Sequence, residues 1–314
     1  MAGFEEMREA GDVSTIWMDG EFVDWEDATV HVLTHSLHYG SAVFEGVRCY
    51  DTERGPALFR WEEHLDRLFE SAKPLDLEIG HSRETLTEAT VELIREQGLQ
   101  SCYVRPLVYY GYQQLGVSPG DSPTNTMVAC WPWGTYLGED ALENGVDVKV
   151  SSWRKHHSSQ IPTNMKATGS YINSLLAGTE ARDQGYVEAI VLNKEGDVAE
   201  GPGENLFMVR DGEIYTPGLA ESILDGITRR TVIELAREMG YTVHDEAKIS
   251  RGELYTADEL FFSGTAAEVT PIRSVDDNTV GDGGRGPVTE ELQSAFFDLV
   301  ERRTDDHDDW FTYV

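Results

Sequence analysis

The sequence predicts an α+β fold organised as two domains. The chain has 314 residues, and this length exceeds what one ordinary hydrophobic core accommodates. Apolar stretches typical of strands are interspersed with stretches of helical spacing, without the strict alternation that characterises a doubly wound sheet. Because 40% of the residues are hydrophobic, both domains can form well-packed cores. We therefore expect two α/β domains with mixed sheets.

The predicted smaller domain, residues 1–136, begins with a hairpin. Asp19-Gly20 is a favourable two-residue turn, and the apolar stretches 16–18 and 21–23 flank it. A helix is predicted from Ser82, a suitable cap, to Gln97. The other predicted elements of this domain, in order, are strand around 37–50, a helix at about 61–72 that residues 58–60 lead into, and buried strands over 103–110 and 127–131.

The predicted larger domain, residues 147–314, follows a linker at 137–146 in a segment rich in glycine and acidic residues. No internal repeat is present. The predicted elements are a strand over 146–151, a helix over 170–184, strands over 187–193 and 205–215 (the latter bent at Asp211-Gly212), a helix over 228–239, strands around 243 and over 260–262, and a helix over about 288–303.

The most unusual bulk property of the chain is its charge. It has 57 acidic and 25 basic residues, so the formal net charge is −32 at pH 7. Such a surface repels nucleic acid and anionic membranes, and we expect neither as a partner. An acid-rich, lysine-poor surface also suggests a salt-loving organism, because molar salt shortens the Debye length to about 3 Å and screens the repulsion.

Several features predict a cytoplasmic protein. The sequence contains no apolar run long enough for a transmembrane helix, and its acidic start lacks the basic and then apolar regions of a secretion signal. The three cysteines are an odd number without CxxC spacing. We expect them to be buried, reduced thiols.

Two other patterns carry little functional weight. Gly281, Gly283 and Gly286 match GxGxxG, but no convincing strand precedes them and too little chain follows for a βαβ unit, so an exposed glycine loop is the better interpretation. No metal site is expected either, because neither HExxH nor a zinc-type spacing is formed by the clustered histidines at 31, 35, 38, 156 and 157.

Lys166 is the lysine whose surroundings favour chemistry. In this acidic chain it has no carboxylate within six residues before it or thirteen residues after it. Such a setting is compatible with partial burial, and burial lowers the pKa of an ammonium group, as a Schiff-base amine requires. On composition alone, a structural lysine that extends its amine to solvent remains the alternative.

Three small-residue segments are candidates for contact with a ligand. Glu200 lies in a turn rich in glycine and proline, where backbone can approach another group closely. Residues 225–229 begin a helix whose free amides suit a phosphate, and residues 263–267 offer amides and hydroxyls after a strand. Alternatively, Glu200 caps a turn and Thr228 caps its helix.

In their order and spacing these segments closely resemble the branched-chain aminotransferase family of fold-type IV pyridoxal-phosphate enzymes. The resemblance extends from about Ile16 to the last helix and implies the fold-type IV architecture. It rests on the blocks HYGSAVFEGVRCY (38–50), FRWEEHLDRL (59–68), YVRPL (103–107), WPWGTYLG (131–138), IPTNMKATGSY (161–171), EGPGENLF (200–207), DGITR (225–229) and FFSGTAAEVTPIRSVD (261–276).

The resemblance implies pyridoxal 5'-phosphate as the cofactor. Lys166 would form the Schiff base with it and move the proton at the substrate α-carbon, while Glu200 keeps the pyridine nitrogen protonated. Tyr171 would hydrogen-bond the phenolic oxygen. The implied phosphate ligands are Arg60, the amides of Ile227 and Thr228, and Thr265.

The resemblance further implies amino transfer from L-leucine, L-isoleucine or L-valine to 2-oxoglutarate. The implied substrate-binding positions are Tyr39, Phe44, Trp133 and Tyr136 for the apolar side chain, Tyr103 and Arg105 for a carboxylate, and the amides around Ala266 and Ala267 for the α-carboxylate. Tyr39 and Val117 would come from a neighbouring subunit, which implies a homodimer or a higher homo-oligomer.

Two alternatives remain open at this point. A D-amino acid aminotransferase or an aminodeoxychorismate lyase of the same fold would keep Lys166 and Glu200 but change the pocket, whereas the YVRPL and WPWGTYLG blocks favour branched-chain substrates. A catalytically inactive homologue acting as a scaffold would lack a chemical residue, and none is missing. Residues 109–114 are unusually aromatic for the family, which leaves the handling of aromatic amino acids undecided.

Overall fold

A computed structural model describes residues 3–10, 13–134, 136–138 and 140–314, with the backbone alone at Ala10. The chain divides into two compact units. The first comprises Met1–Gly134, Met165–Gly169 and Leu299–Val314, and the second comprises Thr135–Asn164 and Ser170–Asp298. The chain therefore returns to the first unit twice after leaving it.

The predicted linker at 137–146 includes residue 139, which lies outside the described residues. A short helix, α5 (Ala141–Asn144), occupies part of this segment. The linker and the domain boundaries beside it stay predictions.

The first unit is built on one eight-stranded sheet. Its strands are β1 (Thr15–Met18), β2 (Glu21–Asp24), β3 (Ala42–Phe44), β4 (Val47–Tyr50), β5 (Ala57–Phe59), β6 (Cys102–Tyr110), β7 (Thr124–Trp131) and β17 (Phe311–Tyr313), and its helices are α1 (Phe4–Ala10), α2 (His35–Tyr39), α3 (Trp61–Ala72) and α4 (Arg83–Glu96). The strand order is β17-β5-β4-β6-β7-β1-β2, with β3 also paired to β6. The described pairs in this sheet are all antiparallel.

Helices α3 and α4 cover the apolar core of the first unit. Trp61, Leu65 and Leu68 recur at helical spacing on α3, and each is almost fully buried. Helix α4 begins where the Ser82 hydroxyl accepts a hydrogen bond from the Thr85 amide at 3.1 Å. Packing of these faces onto the sheet fixes β3 and α3 next to each other.

The second unit is built on one nine-stranded sheet. Its strands are β8 (Val146–Arg154), β9 (Glu188–Leu192), β10 (Val198–Glu200), β11 (Asn205–Arg210), β12 (Glu213–Pro217), β13 (Val243–Ala247), β14 (Glu259–Gly264), β15 (Glu268–Val275) and β16 (Asn278–Thr279). The strand order is β10-β9-β8-β15-β14-β11-β12-β13, with β16 paired to β15. Three pairs are parallel, β8–β9, β8–β15 and β12–β13, so this sheet is mixed.

The helices that begin in the second unit are α5, α6 (Tyr171–Asp183), α7 (Ile227–Glu238), α8 (Arg251–Leu254) and α9 (Pro287–Val300). Helices α6 and α7 contact strands of the sheet, and α7 buries Ile227, Val232 and Ala236. Across the residues that the structure describes, no helix is both long enough and apolar enough to cross a membrane.

Most predicted elements are confirmed, including the hairpin at 16–23, the helices at 61–72 and 82–97, and the free, buried cysteines. The strand predicted around 37–50 is confirmed for β3 and β4 but wrong for its first residues, because α2 runs to Tyr39 and ends at Gly40, whose φ of 61° is left-handed. The mixed sheet is confirmed for the second unit, whereas the described pairs of the first sheet are all antiparallel. Strand β15 and the short helix α8 were not among the predicted elements.

Candidate active site

The backbone of Lys166 is held at two points within the first unit. Its amide donates a hydrogen bond to the Ser71 hydroxyl of α3 at 3.0 Å, and its carbonyl accepts one from the Phe44 amide of β3 at 3.1 Å. The next residue, Ala167, forms a β-bridge with Val43. The lysine therefore extends from a segment fixed to both a helix and a strand, and its position is set before any ligand binds.

The amine of Lys166 is set up as a nucleophile. Burial lowers the pKa of Lys166 to about 8, and the nearby positive charge of Arg67 acts in the same direction. The Nζ atom lies 5.0 Å from the ring centroid of Phe44. A substantial fraction of the amine is therefore neutral near pH 8, and only the neutral form attacks a carbonyl carbon.

A buried ion network lies beside this lysine. The Glu45 carboxylate, which has no exposed surface, accepts hydrogen bonds from Arg67 Nε at 2.7 Å, from the Arg67 terminal nitrogen at 2.8 Å and from His64 Nδ1 at 2.7 Å. Burial favours the neutral acid, but Arg67 and His64 outweigh it and hold the pKa of Glu45 well below its ordinary value. Burial lowers the pKa of His64, so a neutral imidazole donates through Nδ1.

Glu45, His64 and Arg67 were not among the site residues predicted from the sequence. A signal for them does exist, because positions 64, 67 and 71 of the predicted helix fall on one face at spacings of three and four. Polar residues on a core-facing helix surface require buried partners. The requirement for buried partners therefore predicts polar contacts on the face of α3 that holds the Lys166 backbone.

Four of the predicted substrate residues come together in the first unit. Arg105 and Tyr103 are two positions apart on β6, and the guanidinium donates to the Tyr103 hydroxyl at 3.1 Å. The Arg105 guanidinium lies 4.7 Å from the Phe44 ring centroid, and Tyr103 stacks on Trp133 at 4.8 Å. Buried Nε of Arg105 has no hydrogen-bond partner within the described part of the chain. This cation among aromatic rings suits a carboxylate, because it offers charge and a free donor.

Two other predicted residues of the first unit have different contacts. Tyr39, at the end of α2, is 42% exposed, and its described ring contacts are with His35 and His38. Arg60 precedes α3 with a left-handed φ of 51° and is buried. Its Nε donates to Glu63 at 2.7 Å, and its guanidinium lies 4.1 Å from the ring centroid of Trp310. Arg60 is thus held rigidly in a strained backbone conformation, as functional residues often are.

The predicted residue Glu200 of the second unit is held by an ion pair and two hydrogen bonds. It ends β10, is 5% exposed, and one carboxylate oxygen lies 2.5 Å from Lys155 Nζ. The other oxygen accepts hydrogen bonds from Asn205 Nδ2 at 3.1 Å and from the Leu224 amide at 2.9 Å. The carboxylate is therefore paired with a cation and fixed in orientation. Lys155 and Asn205 were not predicted from the sequence.

Asn205 connects Glu200 to the start of α7. Its side chain also donates to the Leu224 carbonyl at 2.9 Å, and its Oδ1 lies 1.9 Å from where a Cβ on Gly226 would be, so only glycine fits there. Helix α7 begins at Ile227 without a side-chain cap. The predicted residues Ile227 and Thr228, both buried, therefore present first-turn amides suited to an anion.

The turn between β14 and β15 lies beside the same asparagine. Ser263 pairs in register with Asn205, and the buried Ser263 hydroxyl has no hydrogen-bond partner within the described residues. In the predicted anion-binding turn that follows, Thr265 and Ala266 are half-buried and Ala267 is buried. Tyr171 is half-buried at the start of α6, and Tyr136 is 40% exposed. The second unit thus brings Glu200, the start of α7 and this turn together around Asn205.

Comparison with known proteins agrees with this chemistry. The chain matches the family described as amino-transferase class IV over residues 42–275. It is 52% identical over 299 residues to the branched-chain-amino-acid aminotransferase of Pseudomonas aeruginosa, covering 95% of this chain and 97% of that protein.

Solved structures are similar over nearly the whole chain. The branched-chain amino acid aminotransferase of Escherichia coli superposes with a TM-score of 0.93 at 50% identity, covering 95% of this chain and 98% of that one. The branched-chain aminotransferase of the thermophilic archaeon Thermoproteus uzoniensis, solved with norvaline, superposes with a TM-score of 0.90 at 42% identity, covering 95% and 98%. The chain therefore belongs to the branched-chain aminotransferases of the class IV aminotransferase family.

Proposed function

We propose that this protein transfers the amino group of L-leucine, L-isoleucine or L-valine to 2-oxoglutarate. The observation that carries the proposal is the buried, backbone-anchored Lys166, whose amine has a pKa of about 8. Relatives of about 50% identity that are named for this activity support the substrate class. Neither a D-amino acid aminotransferase nor an aminodeoxychorismate lyase is favoured.

The residues present fit pyridoxal 5'-phosphate. When bound, this cofactor supplies an aldehyde that condenses with amines and a cationic ring that accepts an electron pair. Lys166 would hold the cofactor through its amine until the substrate amine displaces it, and the freed amine would then carry the proton to and from the substrate α-carbon. Glu200 would accept a hydrogen bond from the ring nitrogen. The unpartnered Ser263 hydroxyl and the uncapped start of α7 support an anion site in the second unit.

Other members of the predicted set complete the proposed binding. Tyr171 donates to the phenolic oxygen of the cofactor. The phosphate is held by Arg60, by the amides of Ile227 and Thr228, and by Thr265, while the amides around Ala266 and Ala267 hold the substrate α-carboxylate. Arg60 suits its role because its planar fork matches phosphate oxygens.

The substrate pocket must accept two different side chains. An aliphatic side chain is buried among Phe44, Trp133, Tyr136 and Tyr39, whereas the side-chain carboxylate of glutamate binds the Arg105 guanidinium and the Tyr103 hydroxyl. The short contact between these two groups keeps the polar end of the pocket assembled when an aliphatic side chain is present. Arg105 then retains a partner, which lowers the cost of leaving its charge without a carboxylate.

We further infer a cytoplasmic homo-oligomer in which a neighbouring copy contributes Tyr39 and Val117. The support is exposure, because Val117 is 85% and Leu37 63% exposed, both unusual for apolar residues of a monomer. His35 links the two segments, since its ring centroid lies 4.6 Å from that of Tyr39 and its Nε2 lies 2.7 Å from the Gly116 carbonyl oxygen.

The amino-donor specificity tests the proposed function. With 2-oxoglutarate as acceptor, we expect turnover of L-leucine, L-isoleucine and L-valine, and Lys166→Ala should reduce it by at least about 100-fold because a positioned proton-transfer group is lost. Lys149→Ala serves as the matched control, since Lys149 lies near Asp276 of the second sheet and should leave turnover unchanged. Turnover of D-alanine with none of L-leucine would refute the assignment.

The pKa of Lys166 predicts how covalent capture of the cofactor depends on pH. Only the neutral amine attacks the aldehyde, so the capture rate should rise with pH to a midpoint near 8. An unperturbed lysine would place this midpoint near 10.4. Stopped-flow absorbance after mixing pyridoxal phosphate with cofactor-free protein measures the rate, with Lys166→Ala as the baseline. A rate that still rises steeply above about pH 9.5 would contradict the buried, depressed amine.

We also propose adaptation to high salt, on the basis of the net charge of −32. Raising potassium chloride from dilute to molar should raise the melting temperature by at least about 3 °C, or about 1 kcal/mol, because the self-repulsion is screened. Sucrose in place of salt is the control, because sucrose is excluded from the protein surface but does not screen charge. Equal melting temperatures in dilute and molar salt would exclude the adaptation.

A further inference from the structure

We propose that Lys155 is a positioning residue that keeps Glu200 ionised, so that the shared proton resides on the ring nitrogen of the cofactor. The inference rests on the proposed contact between Glu200 and that ring. It assigns a function to a lysine that was not among the predicted site residues, and it derives from the buried charges of the second unit.

The pair itself is buried and close. Lys155 directly follows β8, its side chain is 11% exposed, and its Nζ lies 2.5 Å from Glu200 Oε1. The Lys155 amide donates to the Leu192 carbonyl of β9 at 2.8 Å, so the backbone that carries the ammonium is fixed. Since Asn205 and the Leu224 amide occupy Oε2, Lys155 is the cation at the opposite oxygen.

Glu200 has two further buried carboxyls in its surroundings, and together Glu188, Glu200 and Glu204 form the carboxyl cluster. Burial raises the pKa of Glu204 well above its ordinary value, and the charges of Glu188 and Glu200 raise it further. Glu204 Oε2 accepts from the Gly203 amide at 2.8 Å, whereas its buried Oε1 has no partner within the described part of the chain. Glu204 is therefore the neutral member of the carboxyl cluster.

The other charged and titratable neighbours do not replace Lys155. Burial raises the pKa of Glu188 to about 6, and the cation that acts on it is Arg182. Burial lowers the pKa of His156 to about 4, with Lys155 acting in the same direction, so this imidazole is neutral at pH 7. Among the described groups around Glu200, Lys155 supplies the positive charge in direct contact.

The consequence concerns a single proton. A buried carboxylate without a cation takes up a proton rather than remain charged beside other acids. A protonated Glu200 is a much weaker acceptor than a carboxylate, and its O–H would donate to a ring nitrogen that is then neutral and a poorer electron acceptor. With Lys155 in place, Glu200 stays an acceptor and the ring nitrogen keeps its proton.

The test is the protonation state of the ring nitrogen in holoprotein that carries ¹⁵N at that position. In wild type and in Lys155→Arg, the ¹⁵N shift at pH 7 should be that of a protonated ring. In Lys155→Met it should move toward the neutral-ring value, and the acid limb of the kcat profile should move up by about one pH unit or more. Lys149→Met, the same substitution at a lysine of β8 that lies near Asp276, is the matched control and should behave as wild type.

A second measurement does not depend on the cofactor. In protein labelled with ¹³C at glutamate carboxyls, Lys155→Met should gain one protonated carboxyl at pH 7 relative to wild type, and Glu200→Gln in that background should abolish the gain. Lys155→Gln replaces the methionine variant if that variant does not fold. An unchanged ring nitrogen and an unchanged number of protonated carboxyls would overturn the inference, as would failure of both neutral variants to fold while Lys155→Arg folds.

The outcomes also separate this inference from the proposed function. If no variant and no wild-type protein captures the cofactor, the proposed function fails, while the carboxyl measurement still decides the role of Lys155. If cofactor capture and turnover are normal but Lys155→Met changes neither readout, the proposed function stands and the positioning role is wrong.

Discussion

Burial of charge is the constraint on which the candidate site depends. An ionised group removed from water is tolerated only with an opposite charge and full hydrogen bonding, or it changes its protonation state. Both outcomes occur in the first unit, where Arg67 and His64 keep the fully buried Glu45 ionised, while the pKa of Lys166 falls to about 8. The ion network and the reactive amine share helix α3, because Ser71 of that helix holds the Lys166 backbone.

In the second unit, the cost of burying charge affects two neighbouring carboxyls in different ways. Lys155 and Asn205 fix Glu200 as a carboxylate, while Glu204, with an unpartnered oxygen, remains neutral. One unit therefore holds a proton-accepting amine, and the other holds a buried carboxylate paired with a cation. These are complementary requirements of amino transfer, in which one group moves a proton and another stabilises positive charge on a ring. Each is set by interactions within its own unit.

The fold and the principal residues could be predicted from sequence, since hairpin turns, helix periodicity and caps are local signals. Lys166 was noticeable because its neighbours are neutral in so acidic a chain, and Glu200 because it lies in a turn rich in glycine and proline, but the roles of both came from the resemblance to the family. Lys155, Arg67 and His64 were not, because their carboxylate partners lie 45, 22 and 19 positions away and pair only after the sheets form. The helical segment before Gly40 could not be predicted either, since a helix of one short turn that ends at a left-handed glycine gives too few residues for a helical hydrophobic periodicity.

The central claim is that the amine of Lys166, and of no other lysine, captures the cofactor. Borohydride reduction of the holoprotein, followed by peptide mapping by mass spectrometry, tests it most directly, because reduction makes the attachment permanent. We expect the phosphopyridoxyl mass on the peptide that contains Lys166 and on no other. Attachment at Lys73, Lys149, Lys155, Lys194 or Lys248 would contradict it.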